Sequence, residues 1–76
     1  MKEFIAYHIK NLVDQPEAVD VTLIDDQQGT TLAVRVAQED VSKVVGRQGR
    51  TIQSLRTIAM IVGARFGIRV RLELEH

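Results

Sequence analysis

The chain has no cysteine, one proline and three aromatic residues among its 76. Without cysteine there is no disulfide framework and no thiolate metal site, which fits a reducing compartment. Histidine is almost missing as well. His8 and the final His76 do not suggest a metal centre, and no cofactor is expected. No apolar run approaches the roughly 20 residues of a membrane span. The opening Met1-Lys2-Glu3-Phe4 lacks the charged-then-apolar build of a signal peptide. Repeats and low-complexity segments are also absent. These absences point to a soluble, cytoplasmic protein with no membrane partner.

What is present is aliphatic. Hydrophobic residues make up 45% of the chain and aromatic ones 4%, so the core must be built from Ile, Leu, Val and Ala. The apolar content argues against disorder, and the length suits one small domain spanning 1–76. Net charge is zero but unevenly spread. Residues 1–40 hold three basic side chains against eight acidic ones, a net −5; residues 41–76 hold seven against two, a net +5. A neutral chain divided in this way presents a basic face, and an anionic partner responds to that local field.

The basic half contains the most distinctive stretch, Val41-Ser42-Lys43-Val44-Val45-Gly46-Arg47-Gln48-Gly49-Arg50-Thr51-Ile52. A helix is expected over 2–14 from Ile5, Ile9 and Leu12, with Phe4 and Val13 beside the stripe and His8 as a partly buried packing residue. Pro16 ends it. Alternation predicts strands over 19–25 and 30–37, joined by the polar turn Asp25-Asp26-Gln27-Gln28-Gly29 into an antiparallel hairpin. A short helix opens at Gln38-Glu39-Asp40 and stops at Gly46; a long one runs from about Arg50 to Arg65. In the long helix Ile52, Leu55, Ala59, Val62 and Phe66 form one core stripe, and Gly67 ends it. Residues 68–74 alternate as a last strand. The ending Leu74-Glu75-His76 is either native or the start of an expression tag.

The order is therefore αββααβ, an α+β two-layer fold. Three helices cover one face of a three-stranded mixed sheet of order 1-2-3. The hairpin is antiparallel and the final strand joins the second in parallel through a right-handed crossover.

Between the two adjacent helices the chain must reverse tightly. Gly46 can take the left-handed position that closes the first helix, and Gly49 lets a ligand backbone approach the start of the second. No Ser, Asp or Asn caps that start, so its first N–H groups are left for solvent or an anion. Lys43, Arg47 and Arg50 surround the spot, and Val44, Val45 and Ile52 would line an aliphatic groove beside it. The glycines alone would serve a plain linker equally well. The cationic turn with aliphatic flanks favours a nucleotide strand, phosphates on the turn and base faces on the groove.

Other phosphate motifs fail. A P-loop ending at Gly49-Arg50-Thr51 needs glycine at 44 and lysine at 50, where the chain has Val44 and Arg50. The Gly-x-Gly-x-x-Gly pattern of dinucleotide folds is missing. No serine–histidine–acid set or carboxylate pair gathers near the turn, so neither an enzyme nor a small-molecule substrate is expected. A helix-turn-helix DNA reader is disfavoured, because the long helix offers Arg50, Gln53, Ser54 and Arg56 and then turns apolar.

These residues resemble the KH domain. Its core is an aliphatic pair, Gly-x-x-Gly, two residues and an isoleucine, here Val44-Val45-Gly46-Arg47-Gln48-Gly49-Arg50-Thr51-Ile52. The element order resembles the type II (prokaryotic) arrangement. The short chain, with Thr57-Ile58 in the long helix, resembles the small bacterial single-KH proteins of the KhpA type. The resemblance implies single-stranded RNA clamped over about four nucleotides by the Gly46–Gly49 loop. It also implies an RNA-chaperone or regulatory role, a second KH protein of the KhpB (Jag) type as a partner, and links to cell-envelope homeostasis and cell length. No aromatic platform stands near the turn, since Phe4, Tyr7 and Phe66 are distant or on the core stripe. Base recognition is then left to hydrogen bonds and aliphatic contact.

One feature is independent of family. Met60 and Ile61 lie roughly 130° from the centre of the long helix's core stripe, on either side, with Thr57 and Ala64 between them and Ile58 near the edge. So apolar an outward face predicts an interface, either a two-fold homodimer or a heteromer. A KH-shaped protein-interaction module working through this face is the alternative to RNA binding.

Overall fold

The computed structural model describes residues 1–75; of the ending Leu74-Glu75-His76, only His76 lies outside the described residues. The elements are α1 (Lys2–Lys10), β1 (Asp20–Asp26), β2 (Gly29–Arg35), α2 (Val41–Val45), α3 (Arg50–Arg65) and β3 (Val70–Glu75), with single 3-10 turns at Pro16–Ala18, Gln38–Asp40 and Arg47–Gly49. The sheet order is β1-β2-β3. β1 pairs with β2 antiparallel from Asp20↔Arg35 to Asp26↔Gly29, and β2 with β3 in parallel from Thr30↔Val70 to Arg35↔Glu75. The α+β architecture expected from the pattern is the one observed.

The helices close one face over an aliphatic core. Ile5 and Ile9 of α1, Val44 of α2, and Ile52, Leu55 and Ala59 of α3 meet Val21, Leu32, Val34, Val70 and Leu72 of the sheet. Branched residues at alternate strand positions face the helices, and stripe residues of the helices face the strands, so both periodicities bury the same surface.

Four expectations are corrected. First, α1 ends at Lys10, not 14. The Asn11 side chain donates to the Tyr7 carbonyl at 2.9 Å and the Leu12 N–H donates to Ile9 O at 2.9 Å. This local competition for the carbonyls tightens the last turn and ends the helix before Pro16 can. Leu12 is thereby left 40% exposed, off the core stripe. Second, His8 is exposed and stands edge-on to Phe4, ring centres 4.5 Å apart, rather than packing in the core.

Third, Phe66 is 73% exposed although it lies on the α3 core stripe by spacing. One turn earlier, Gly63 brings the helix so close to β3 that an added Cβ would strike the Val70 side chain and lie 2.8 Å from Ile68 O. β3 begins only at Val70, beneath Gly63, so among the described residues no strand lies under Phe66. The chain exits there through paired bonds, Ile68 N–H to Gly63 O at 2.9 Å and Gly67 N–H to Ala64 O at 3.1 Å. Fourth, this exit delays the last strand to Val70, instead of 68.

Candidate nucleic-acid interface

The turn between α2 and α3 owes its shape to three residues with positive φ. Gly46 has φ 79 and ψ 177, Gln48 φ 57 and ψ 26, and Gly49 φ 75 and ψ 12. Gly46 does not take the left-handed helical position expected of it. It is extended in the mirror-image sense, a region essentially restricted to glycine. A Cβ on Gly46 would also lie 2.6 Å from Thr51 Cβ and 3.0 Å from Thr51 N. Gly49 is left-handed, but a Cβ there would meet nothing within 4 Å. The two glycines are thus used differently. Gly46 lets the turn fold against α3, whereas Gly49 keeps an open approach to the helix start.

The start of α3 has no side-chain cap. One of its amides is nonetheless satisfied: Arg50 N–H donates to Arg47 O across the 3-10 turn. Arg47, Gln48 and Arg50 are exposed around this point. Arg50 Nη2 donates to Gln48 Oε1 at 3.2 Å, which draws these two side chains together on the turn.

The aliphatic flanks are placed differently from the expected groove. Val44 is fully buried and Ile52 is 7% exposed, both in the core cluster. They hold the turn down from within. Val45, half-buried, is the flank that keeps some surface.

Lys43 is also placed differently. Its ammonium lies 2.7 Å from Asp14 Oδ2 and 3.6 Å from Asp40 Oδ1, so its charge is turned back toward the α1–β1 linker. The hydrogen bond to Asp14, and then the Asp14 charge, raise its pKa above the ordinary 10.5. Asp40, 1% exposed, accepts the Gln15 N–H at 3.0 Å through Oδ2. Asp40 therefore ties the linker to the N-terminus of α2, and Lys43 supplies the nearest cation to an otherwise unpartnered Oδ1.

The family-model comparison matches "KhpA/KhpB, KH domain" over residues 2–74. The chain belongs to the KhpA/KhpB KH-domain family. The proteins called RNA-binding protein KhpA are similar to it throughout. That of Chlamydia pneumoniae is 43% identical over 74 residues, covering 97% of this chain and 95% of the relative. That of Borreliella burgdorferi is 38% identical over 72 residues, covering 95% and 88%. That of Streptomyces coelicolor is 39% identical over 77 residues, covering 100% and 96%.

In this KH domain the structure adds residues that the sequence reading did not place. A hollow of about 270 Å³ opens between α3 and β3, lined by Arg56, Met60, Val70, Arg71, Leu72 and Glu73. Arg56 Nε donates to Leu72 O at 3.2 Å across it. The sequence signal was an arginine on each element, Arg56 on α3 and Arg71 on β3; their juxtaposition depends on β3 docking at the sheet edge. Arg47, Arg50, Arg56, Arg65, Arg69 and Arg71 have no acidic partner within ion-pair distance among the described residues. The basic excess of the second half is therefore available to an anion, Lys43 excepted.

Thr57, Met60, Ile61 and Ala64 are exposed along α3 and Ile58 is half-buried, with Met60 at 56% and Ile61 at 57%. No helix among the described residues is long and apolar enough to cross a membrane, and no cluster of three or more metal-binding side chains occurs among them.

Proposed function

We infer that this protein is a non-catalytic, single-stranded RNA-binding KH domain acting in the cytoplasm. The observation that carries the reading is the Gly46–Gly49 turn. Its geometry keeps the Gly49 approach open, leaves α3 without a side-chain cap and sets the unpaired Arg47 and Arg50 beside that opening. A phosphodiester backbone fits this combination of amide donors, charge and missing side chain. Gly46, Arg47, Gln48, Gly49 and Arg50 are the contact residues, with Val45 against a sugar or base. Val44 and Ile52 support the turn from the core, and Lys43 acts through its tether to Asp14 and Asp40. The names of the relatives support RNA as the ligand.

On this reading the biological role is that of an RNA chaperone or post-transcriptional regulator, with cell-envelope homeostasis and cell length as its downstream setting. The exposed Met60–Ile61 face supports assembly through α3, either as a homodimer or with a second KH protein of the KhpB type. A dimer would present two weak RNA sites at once and raise apparent affinity on an RNA that reaches both. The same face supports the second reading, a KH-shaped module whose main ligand is another protein.

The test is Arg47→Asp with Gln48→Asp, assayed on a short single-stranded RNA. Both side chains are exposed and outside the core, so the variant is expected to melt close to the parent and to lose RNA binding. Unchanged RNA affinity would refute the loop assignment and leave the protein-interaction reading.

A further inference from the structure

The sheet has an open edge at β1, and its chemistry is opposite to that of the turn. β1 is an edge strand of seven residues, Asp20-Val21-Thr22-Leu23-Ile24-Asp25-Asp26. The Thr30 N–H donates to Arg69 O on the β3 side, at 2.8 Å. The Asp25↔Thr30 pair is therefore not a hydrogen-bonded one. Antiparallel alternation makes Leu23↔Leu32 and Val21↔Val34 the same. The backbone N–H and C=O groups of Val21, Leu23 and Asp25 consequently point away from the sheet. Among the described residues no backbone hydrogen bond from outside the sheet reaches them.

Sheet edges are usually blunted by charged side chains, Lys above all, or by Pro, a bulge or a very short strand. β1 has no Lys and no Pro, and its pairing with β2 runs residue for residue without a bulge. Leu23 and Ile24 are 41% and 49% exposed along it. Its only charges are Asp20, Asp25 and Asp26. These argue against two occupants. RNA is repelled. A second copy adding antiparallel about Leu23 would place Asp20 of one chain opposite Asp26 of the other, a like-charge pair that destabilises such contacts.

We propose that β1 is a docking edge for a basic, extended segment of a partner protein, which adds to the sheet as a fourth strand. Main-chain bonds to Val21, Leu23 and Asp25 supply the register, the apolar side chains of the segment cover Leu23 or Ile24, and its Lys or Arg residues face the aspartates at each end. The acidic and basic halves of the chain thus sort two kinds of ligand, a cationic strand on β1 and an anionic strand on the turn.

The experiment titrates the isotopically labelled full chain with the synthetic peptide Lys-Arg-Val-Thr-Val-Thr-Val-Arg-Lys and follows backbone amide shifts and hydrogen exchange. The expected result is binding at about 1 mM or tighter, with shifts centred on β1 and slowed exchange at Val21, Leu23 and Asp25. A peptide with Glu in place of each Lys and Arg should bind at least ~10-fold more weakly. A peptide N-methylated at alternate amides should lose binding, a control that leaves the protein unaltered. In the protein, Leu23→Pro removes an outward N–H and no ladder bond, and should abolish the response. Absence of binding, shifts centred on the turn or α3, equal binding of the acidic peptide, or full retention by the N-methylated peptide would each overturn the proposal.

Discussion

Replacing Gly46 and Gly49 one at a time by alanine separates the two tasks assigned to the turn. At Gly46 the new Cβ must adopt φ 79 with ψ 177, which alone costs about 1–3 kcal/mol. It must also displace Thr51, whose Cβ would be 2.6 Å away and whose backbone N 3.0 Å away. Neither atom is the end of a flexible chain, so helix α3 itself has to shift. A total of roughly 3 kcal/mol or more is expected, out of the ~4–11 kcal/mol that a domain of this size commands. At Gly49 the Cβ enters open space and only the left-handed backbone costs, about 1–2 kcal/mol. With a shift of about 4–8 °C per kcal/mol for a domain this small, thermal melts should rank the parent above Gly49→Ala and both well above Gly46→Ala. RNA titration should rank them otherwise. Gly49→Ala, still folded at assay temperature, should bind more weakly because its methyl occupies the approach to α3. Equal melting temperatures for the two variants, or undiminished RNA affinity in Gly49→Ala, would refute the division of labour.

The remaining expectations are more direct. If Arg47 and Arg50 neutralise two phosphates, log K should fall against log salt with a slope of about −1.4, measured by titration at several salt concentrations; a flat response would remove the electrostatic account. Ile61→Asp, at a position 57% exposed, should leave the fold intact and halve the mass seen by light scattering; a parent that is already monomeric, or a variant that stays dimeric, contradicts the α3 homodimer. Asp40→Ala removes the buried acceptor of the Gln15 N–H and should cost about 1–3 kcal/mol in urea unfolding. The Lys43 pKa is raised in the folded state. Its contribution is therefore fully present below the unfolded value near 10.5 and is lost as pH rises through the folded one, so alkaline melts of the parent and of Lys43→Met should converge.

The bounds of α3 were legible because Gly49 and Gly67 bracket an uninterrupted apolar stripe, and β3 was legible from alternation. A strand returning after two helices most simply lies parallel to β2, which led to the order β1-β2-β3. The turn was legible as a motif, but its depth was not. Spacing alone does not distinguish Val45 at the surface from Val44 in the core, since both flank the same glycine. Lys43 looked like part of the turn because it is three residues from Gly46. Its partner Asp14 is 29 positions away, and only the folded chain brings the two together. Phe66 kept the helical rhythm past the point where the sheet stops, a limit that depends on where β3 begins. The early end of α1 turned on one side chain, Asn11, competing for a carbonyl that propensity assigns to the helix.

The parallel pairing of β2 with β3 has a kinetic consequence. Thr30 meets Val70 across 40 positions, and closing a loop of that length costs about 3 kcal/mol from (3/2)RT ln n before any contact is gained. The hairpin and the helix pair are local and can form first. The turn lies inside the encircled stretch, and α3, which presents it, packs on β3 at Gly63. Its final geometry should therefore appear only as the last strand docks, in the slowest folding phase. A chain halted before that step would carry both glycines and the arginines yet present no ordered surface to a nucleotide strand.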